Sequence, residues 1–468
     1  MIHKFKARDL NILLDVNNGG VHLIDDVTYD IIDAIEPYFQ EMGSDAPMAK
    51  EGSTCPEEII EQFKDKYTRE EICESFEEVR GLAAEDLLFS KDQYEKYANT
   101  AVDSPIKSLC LNISHDCNMR CKYCFASTGD FGTGRKLMSY EIGKAAIDFL
   151  LERSPNRPNL DVDFFGGEPL MNFEVVKQVV EYARSKEKEY GKNFRFTITT
   201  NGLLLNDEKI DYINENMDNV VLSIDGRKEV NDNMRPLPNG KGSYDIIIKN
   251  FKKLVEKRGD KEYYVRGTYT RNNLDFANDI LSLYNEGFDQ ISVEPVMEDP
   301  SMDYAITEKD LDRINEEYDR LMDEITAIKE GGKFINFFHF MIDLDQGPCI
   351  IKRLRGCGSG NEYVCVTPDG EIYPCHQFVG KKEFLMGNIL DNTFDEDIKK
   401  VFSKAHVYSK PKCQKCWAKY YCSGGCNANN YNFNGDILDS YDVACGIQKK
   451  RLEAAIIMKI RDMLKEEE

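Results

Sequence analysis

The chain has 468 residues, with 60 Lys and Arg against 83 Asp and Glu, a formal charge of −23. That balance excludes nucleic acid as a partner, because phosphate binding demands basic surface. The sequence has neither an apolar run long enough for a membrane span nor a signal peptide's h-region. A cytoplasmic protein is expected, whose fifteen cysteines stay reduced and serve metals rather than disulfides.

Residues 1–90 hold 8 Lys and Arg against 21 Asp and Glu. This is either a solvated acidic face or a surface for a partner with basic residues. Asn11-Ile-Leu-Leu-Asp-Val16 and Val21-His-Leu-Ile-Asp25 flank an Asn-Asn-Gly-Gly turn and predict a hairpin. Helices are expected over 27–39, 56–66 and 69–80, then a linker over 91–107. Ser108–Ser114 reads as a strand, followed by Cys117-x3-Cys121-x2-Cys124. Zinc sites usually take paired cysteines. Three thiolates instead suit a [4Fe–4S] cluster whose fourth iron stays open to a ligand.

The run Leu160–Phe165 ends in Gly166-Gly167-Glu168-Pro169, where glycines let the backbone approach a ligand closely. Val175, Val176, Val179, Val180 and Ala183 give a helical stripe after an expected Asn172 cap. Strand-like runs recur at 195–201, 220–225, 264–270 and 291–296. Six strands alternating with helices predict an α/β core with a parallel sheet over 108–320, and bridging helices over 321–348. Residues 349–447 hold nine cysteines. Cys357, Gly370 and Cys375 come first, then Cys413-x2-Cys416-x5-Cys422-x3-Cys426 and Cys445. Val364–Tyr373 reads as a hairpin around Pro-Asp-Gly. Cys365 within it reads as a core residue, and Cys55, Cys73 and Cys110 as packing residues. An amphipathic helix over 448–468 closes the chain.

The triad, with Tyr123 before its third cysteine and Gly-Gly-Glu-Pro downstream, resembles the signature of the radical S-adenosylmethionine (SAM) enzymes. The resemblance implies a partial (β/α)6 TIM barrel with catalytic groups at the C-terminal strand ends. It implies that Cys117, Cys121 and Cys124 hold a cluster whose open iron binds SAM, and that Tyr123 lies near the adenine. Gly166, Gly167 and Glu168 would meet the SAM amino group, and Ser223, Arg235 and Arg266 its ribose and carboxylate. Arg266, on a strand expected to be buried, needs an anionic partner or an internal salt bridge.

The seven-cysteine pattern resembles a SPASM domain, which implies two auxiliary [4Fe–4S] clusters, three in all. Cys357, Cys375 and Cys426 would hold the first, completed by Cys349 or by a substrate thiol. Cys413, Cys416, Cys422 and Cys445 would hold the second. Residues 1–90 resemble the winged-helix-like PqqD-type recognition element, which binds the leader of a ribosomally made precursor by strand addition; a structural cap on the barrel is the plain alternative.

The whole arrangement, with Cys124–Gly132 and Tyr373–Phe378, resembles the thioether-forming SCIFF peptide maturases, or ranthipeptide synthases (SCIFF, six cysteines in forty-five residues). Implied partners are a cysteine-rich precursor peptide and an electron donor such as flavodoxin or ferredoxin. The rival in the family is the anaerobic sulfatase maturase, which makes formylglycine. It carries an Asp base where this chain has His376, itself a candidate base. A zinc-loaded peptide-binding protein is the non-enzymatic alternative.

Overall fold

A computed structural model describes residues 1–7, 10–100, 104–344 and 349–467. One carboxylate sets the first turn: Asp15 Oδ1 accepts from the amides of Asn17 and Asn18 at 2.9 and 3.1 Å. Gly19 there adopts φ +83°, which glycine enters without steric cost. The turn joins β2 (Leu10–Asp15) to β3 (Val21–Ile24). A strand not expected from the sequence, β1 (Ile2–Ala7), pairs antiparallel with β2. Only Phe5 and Ala7 of it are buried, too short an alternation to read. Helices α1 (Asp26–Phe39), α2 (Glu57–Phe63) and α3 (Arg69–Ala84) follow. A capping box between Thr68 and Glu71 starts α3. Ile31, Ile35 and Phe39 of α1 pack with Ile72, Phe76 and Val79 of α3 over Leu13.

The other face of this small sheet is fused to the body. Phe5, Ala7, Ile12 and Leu14 belong to the same apolar core as the central strands. His3 stacks on Trp417 with ring centroids 3.9 Å apart and planes 4° apart, and its Nε2 lies 3.0 Å from Glu453 Oε1. The expected linker, 91–107, begins with an anchor. Asp92 accepts from the hydroxyls of Tyr408 and Tyr420, each at 2.7 Å, and pairs with Lys419 at 3.2 Å. Residues 101–103 of that linker lie outside the described residues.

The central sheet places β4 (Ser108–Ser114), β5 (Asn159–Gly166), β6 (Asn193–Thr200), β7 (Asn219–Ser223), β8 (Tyr263–Tyr269) and β9 (Gln290–Pro295) side by side in chain order. All are parallel. The crossovers carry α4 (Tyr140–Arg153), α5 (Phe173–Tyr190), α6 (Asp207–Asn216), α7 (Lys228–Met234), α8 (Tyr244–Arg258) and α9 (Phe276–Asn285). These are the six strands the sequence predicts. Asn172 precedes α5, but its side chain does not cap it. Its Nδ2 donates to the carbonyls of Ile113 and Met138 instead.

Both edges of the sheet differ from expectation. After α10 (Leu311–Glu330), the short strand β10 (Asn336–Phe337) pairs with β9. The stretch 321–348, where bridging helices are expected, holds the last ten residues of α10, then β10 and a short 3-10 helix at Phe338–Phe340, and 345–348 lie outside the described residues. At the opposite edge, β11 (Tyr363–Val366) runs parallel against β4, with Cys365 opposite Cys110. β12 (Glu371–Tyr373) and β13 (Gly387–Asn388) extend that edge antiparallel. The C-terminal helix starts at Asp442, earlier than the expected 448, which puts Cys445 in its first turn.

Trp417 is the chain's single tryptophan, so it reports on how β1 is seated. His3→Ala removes a stacked pair worth about 0.5–1.5 kcal/mol and is expected to red-shift Trp417 emission and lower the melting temperature. An unchanged emission spectrum would show that β1 does not pack there in solution.

Candidate functional site

The loop that carries the cysteine triad leaves the end of β4 and is clamped by the end of β5. Gly167 N donates to Ser114 O at 2.7 Å, and Glu168 N to Asp116 O at 2.9 Å. A Cβ on Gly166 would stand 2.3 Å from Ser114 O, and one on Gly167 2.2 Å from Asp116 O. The close approach these glycines permit is thus to the cysteine loop's own backbone. Glu168 is fully buried, and its carboxylate accepts from Leu170 N (3.0 Å), Thr200 Oγ1 (2.8 Å) and Asn201 N (2.8 Å). Burial lifts it to about 7 against those bonds. Asn201 then reaches back to Asn118 Oδ1 at 2.8 Å and Cys117 Sγ at 3.7 Å. Burial pushes the Cys117 thiol up to about 12 and Cys121 to about 11, the latter despite Arg235. Such thiols ionise only against added positive charge, which bound iron supplies.

A cavity of about 730 Å³ opens at the C-terminal strand ends beside this loop. Tyr123, Ser223, Arg235 and Arg266 line one side of it, and Cys357, His376, Cys422, Cys426 and Cys445 the other. Tyr123 donates to Asp225 at 2.7 Å and accepts from Arg235 Nη1 at 3.1 Å. Burial raises Asp225 to about 6 although Arg235 opposes it. The buried Arg235 Nε has no hydrogen-bond partner among the described residues. The strand of Arg266 is largely buried, as expected, but Arg266 itself is exposed, because β8 turns it into the cavity. It forms no internal ion pair among the described residues. An orphaned guanidinium nitrogen and an open one beside Ser223 fit a ligand with a carboxylate and hydroxyls, as SAM has.

The far wall is fixed by charge. Arg451, buried on the C-terminal helix, donates to Glu294 Oε2 at 3.0 Å and to the Tyr318 hydroxyl at 2.7 Å. Burial alone would raise Glu294, but His339, Arg451 and Arg266 hold it at about 2. Burial and Arg451 depress His339 to about 3. Asp225, Glu294 and Arg451 were not singled out from the sequence. The first two end strands at the catalytic end of the sheet, a position that could have flagged them.

In the C-terminal segment the thiols of Cys357, Cys375 and Cys426 lie within one another's field. Those of Cys413, Cys416, Cys422 and Cys445 form a second set. Cys349 is exposed at the head of the helix Ile350–Arg355. Cys110, read as a packing residue, is buried beside Cys375 and lies 4.0 Å from His376 Nδ1. His376 stacks on Phe165 at 4.8 Å and leans on Phe125 at 5.2 Å. Its Nδ1 is 3.3 Å from the Tyr363 hydroxyl. Among the described residues no three His, Cys, Asp or Glu side chains close on a single ion.

Residues 111–272 match the radical SAM superfamily, and residues 357–417 the SPASM iron-sulfur cluster-binding domain. A cysteine-type anaerobic sulfatase-maturating enzyme of Clostridium novyi (strain NT) is 28% identical over 348 residues, 69% of this chain and 89% of that one. The antilisterial bacteriocin subtilosin biosynthesis protein AlbA of Bacillus subtilis (strain 168) is 24% identical over 351 residues, 69% of this chain and 68% of that one. The solved structure of native anSMEcpe with bound AdoMet aligns with a TM-score of 0.63 at 22% identity, covering 76% of this chain and 99% of that one. The chain therefore carries a radical SAM domain followed by a SPASM domain on a mixed α/β fold. Those domains imply an enzyme that uses SAM and [4Fe–4S] clusters, and the cysteine sets and the open guanidinium groups fit both.

Two variants test the clamp and the triad. Gly167→Ala is expected to dislodge the cysteine loop and lower iron content by about one cluster's four irons, with loss of SAM cleavage. Replacing Cys117, Cys121 and Cys124 together with Ala should give the same iron loss and no 5′-deoxyadenosine. 5′-Deoxyadenosine from the triple variant would refute this as the SAM site. Cys349→Ala should retain full iron; loss of a cluster would make Cys349 a ligand.

Proposed function

We propose that the chain is a radical SAM peptide maturase that installs Cys thioether cross-links in a ribosomally made, cysteine-rich precursor peptide, as SCIFF maturases do. The observation that carries this reading is the shared cavity. The SAM-facing residues and the rim of the first auxiliary cysteine set open into one chamber, so a peptide thiol and a hydrogen-bearing carbon can sit in it together. SAM held beside Cys117, Cys121 and Cys124 would supply the oxidising chemistry that removes the hydrogen atom, and a cluster on Cys357, Cys375 and Cys426 would take up the electron released as the peptide thiolate bonds to that carbon.

The chain's own residues do the rest. Arg235, held by Tyr123 and Asp225, orients the SAM carboxylate, with Arg266 and Ser223 beside it. Phe125, Phe165, Val296 and Met297 line the chamber with apolar surface and keep water from the reacting carbon. Cys357 and Cys426 lie where a peptide thiolate would be held. Of the three cysteines assigned to the first auxiliary cluster, Cys375 alone is followed by a candidate base, His376, aligned by Phe165 and Tyr363.

The recognition reading rests on a second groove, about 790 Å³, between β3 and α3, with Ile460, Met463 and Leu464 of the C-terminal helix along it. β3 is the edge of its sheet, so its outer N–H and C=O groups can take an added strand. Asp25 and Glu78 line the groove and favour a leader with basic residues. The electron donor is a flavodoxin or ferredoxin, and the setting is the cytoplasm.

The likeness to sulfatase-maturating enzymes favours a second reading, oxidation of a Cys or Ser to formylglycine. His376 in place of that pattern's Asp argues for thioether chemistry. Mass spectrometry of an adjacent-gene precursor after anaerobic turnover decides between them. A thioether product loses two hydrogens per cross-link and its cysteine resists alkylation, whereas formylglycine formed from cysteine loses the sulfur.

Leu23, 45% exposed, tests the groove without disturbing the core. Leu23→Glu is expected to weaken leader binding tenfold or more, roughly the loss of one buried leucine contact, and to leave uncoupled SAM cleavage intact. Unchanged precursor turnover would make residues 1–90 a structural cap. Deleting residues 1–90 is the poorer test, because Phe5, Ile12 and Leu14 are shared with the main core.

A further inference from the structure

Lys410 is 1% exposed, and its Nζ donates to Gly424 O at 2.7 Å and to Asn427 Oδ1 at 2.8 Å. Both acceptors are neutral, and no carboxylate pairs with it among the described residues. A buried ammonium without a counter-charge is costly, so its surroundings must supply negative charge in another form.

The chain around it shows where that charge lies. Gly424 is midway between Cys422 of the second set and Cys426 of the first. Asn427 follows Cys426, and its Nδ2 donates to Ser359 Oγ at 3.2 Å, two residues past Cys357. The Lys410 carbonyl accepts from Cys413 N at 2.9 Å. At Gly424, which adopts φ +86°, a Cβ would press on Lys410 Nζ at 3.2 Å. Burial depresses Lys410 below the usual lysine range, and the thiols of Cys413 and Cys422 in one set, and of Cys426 and Cys357 in the other, oppose that shift and favour the charged form. The ammonium thus lies between the two cysteine sets.

We propose that Lys410 is a shared positioning charge for both auxiliary clusters, raising the reduction potential of each so that both accept an electron more readily. The inference rests on the reading that Cys357, Cys375 and Cys426 hold one cluster and Cys413, Cys416, Cys422 and Cys445 the other. Thiolate-ligated clusters become more negative on reduction, and a fixed cation at low dielectric stabilises that state.

The test is an EPR-monitored potentiometric titration of the reconstituted full-length chain carrying Cys117→Ala, Cys121→Ala and Cys124→Ala, so that only the auxiliary clusters report. Lys410→Met, isosteric and neutral, is expected to lower both midpoints. The oxidised-to-reduced ratio at fixed potential should change at least tenfold, about 59 mV for a one-electron couple, with iron content unchanged. Lys410→Arg should stay near the parent values. Unchanged midpoints with full iron, or a shift confined to one cluster, overturn the proposal. If Lys410→Met loses iron, Lys410→Arg decides. Restored iron and potentials support the charge, while iron lost again makes the lysine a packing piece and overturns it. A parent protein without auxiliary signals overturns the cluster reading itself, and the proposal falls with it.

Discussion

β4 is paired in parallel on both sides, with β5 on one and β11 on the other, and the geometry of the whole site follows from that. The strand's own end carries the cysteine triad. Its β5 neighbour ends in the glycines that clamp the triad's loop, and its β11 neighbour leads through a hairpin to Cys375 and His376. Register matters here as much as adjacency. Setting Cys365 opposite Cys110 brings His376 over Phe165, whereas a one-residue slip would turn the facing side chains to the other surface. The two iron–sulfur segments are therefore held by one hydrogen-bonded sheet, not by domains resting on each other.

Much of this was legible in the sequence where the signal is local. The cysteine spacings, Gly-Gly-Glu-Pro, the Asn-Asn-Gly-Gly turn and the six apolar runs each carry their own pattern. What was not legible depends on partners far along the chain. Val-Cys-Val in β11 reads as a strand, but nothing in it names β4 as its neighbour. β1 alternates over too few residues, with Lys4 and Lys6 masking Phe5. That Arg266 opens to a cavity was not legible, because the cavity exists only once β8, β9 and the C-terminal helix have met. Lys410 looks like any lysine of a Lys-Pro-Lys stretch until Gly424 and Asn427 close around it.

The charge distribution gains meaning from the same comparison. The chain is strongly acidic overall, yet its interior chemistry is organised around cations: Arg235 by the triad, Arg266 and Arg451 in the cavity wall, Lys410 between the C-terminal cysteine sets. Each faces carboxylates, thiols or an open space of the right chemistry. Acidic surface keeps the molecule dispersed, while buried positive groups offset the negative charge that thiolate-ligated clusters bring inside.

The C-terminal helix carries Cys445 in its first turn, passes Arg451 in the cavity wall and runs along the β3 groove at Met463. Cys445 and Met463 are eighteen positions apart, which at 1.5 Å rise per position is about 27 Å. On the proposed function, the helix would be a ruler between docking and chemistry. A peptide seated in the groove and reacting in the cavity must span that distance, and an extended chain covers at most about 3.3–3.6 Å per residue. On that proposal its spacer between the docked strand and the first modified residue would need roughly eight residues or more, a lower bound on precursor architecture set by the enzyme's own frame.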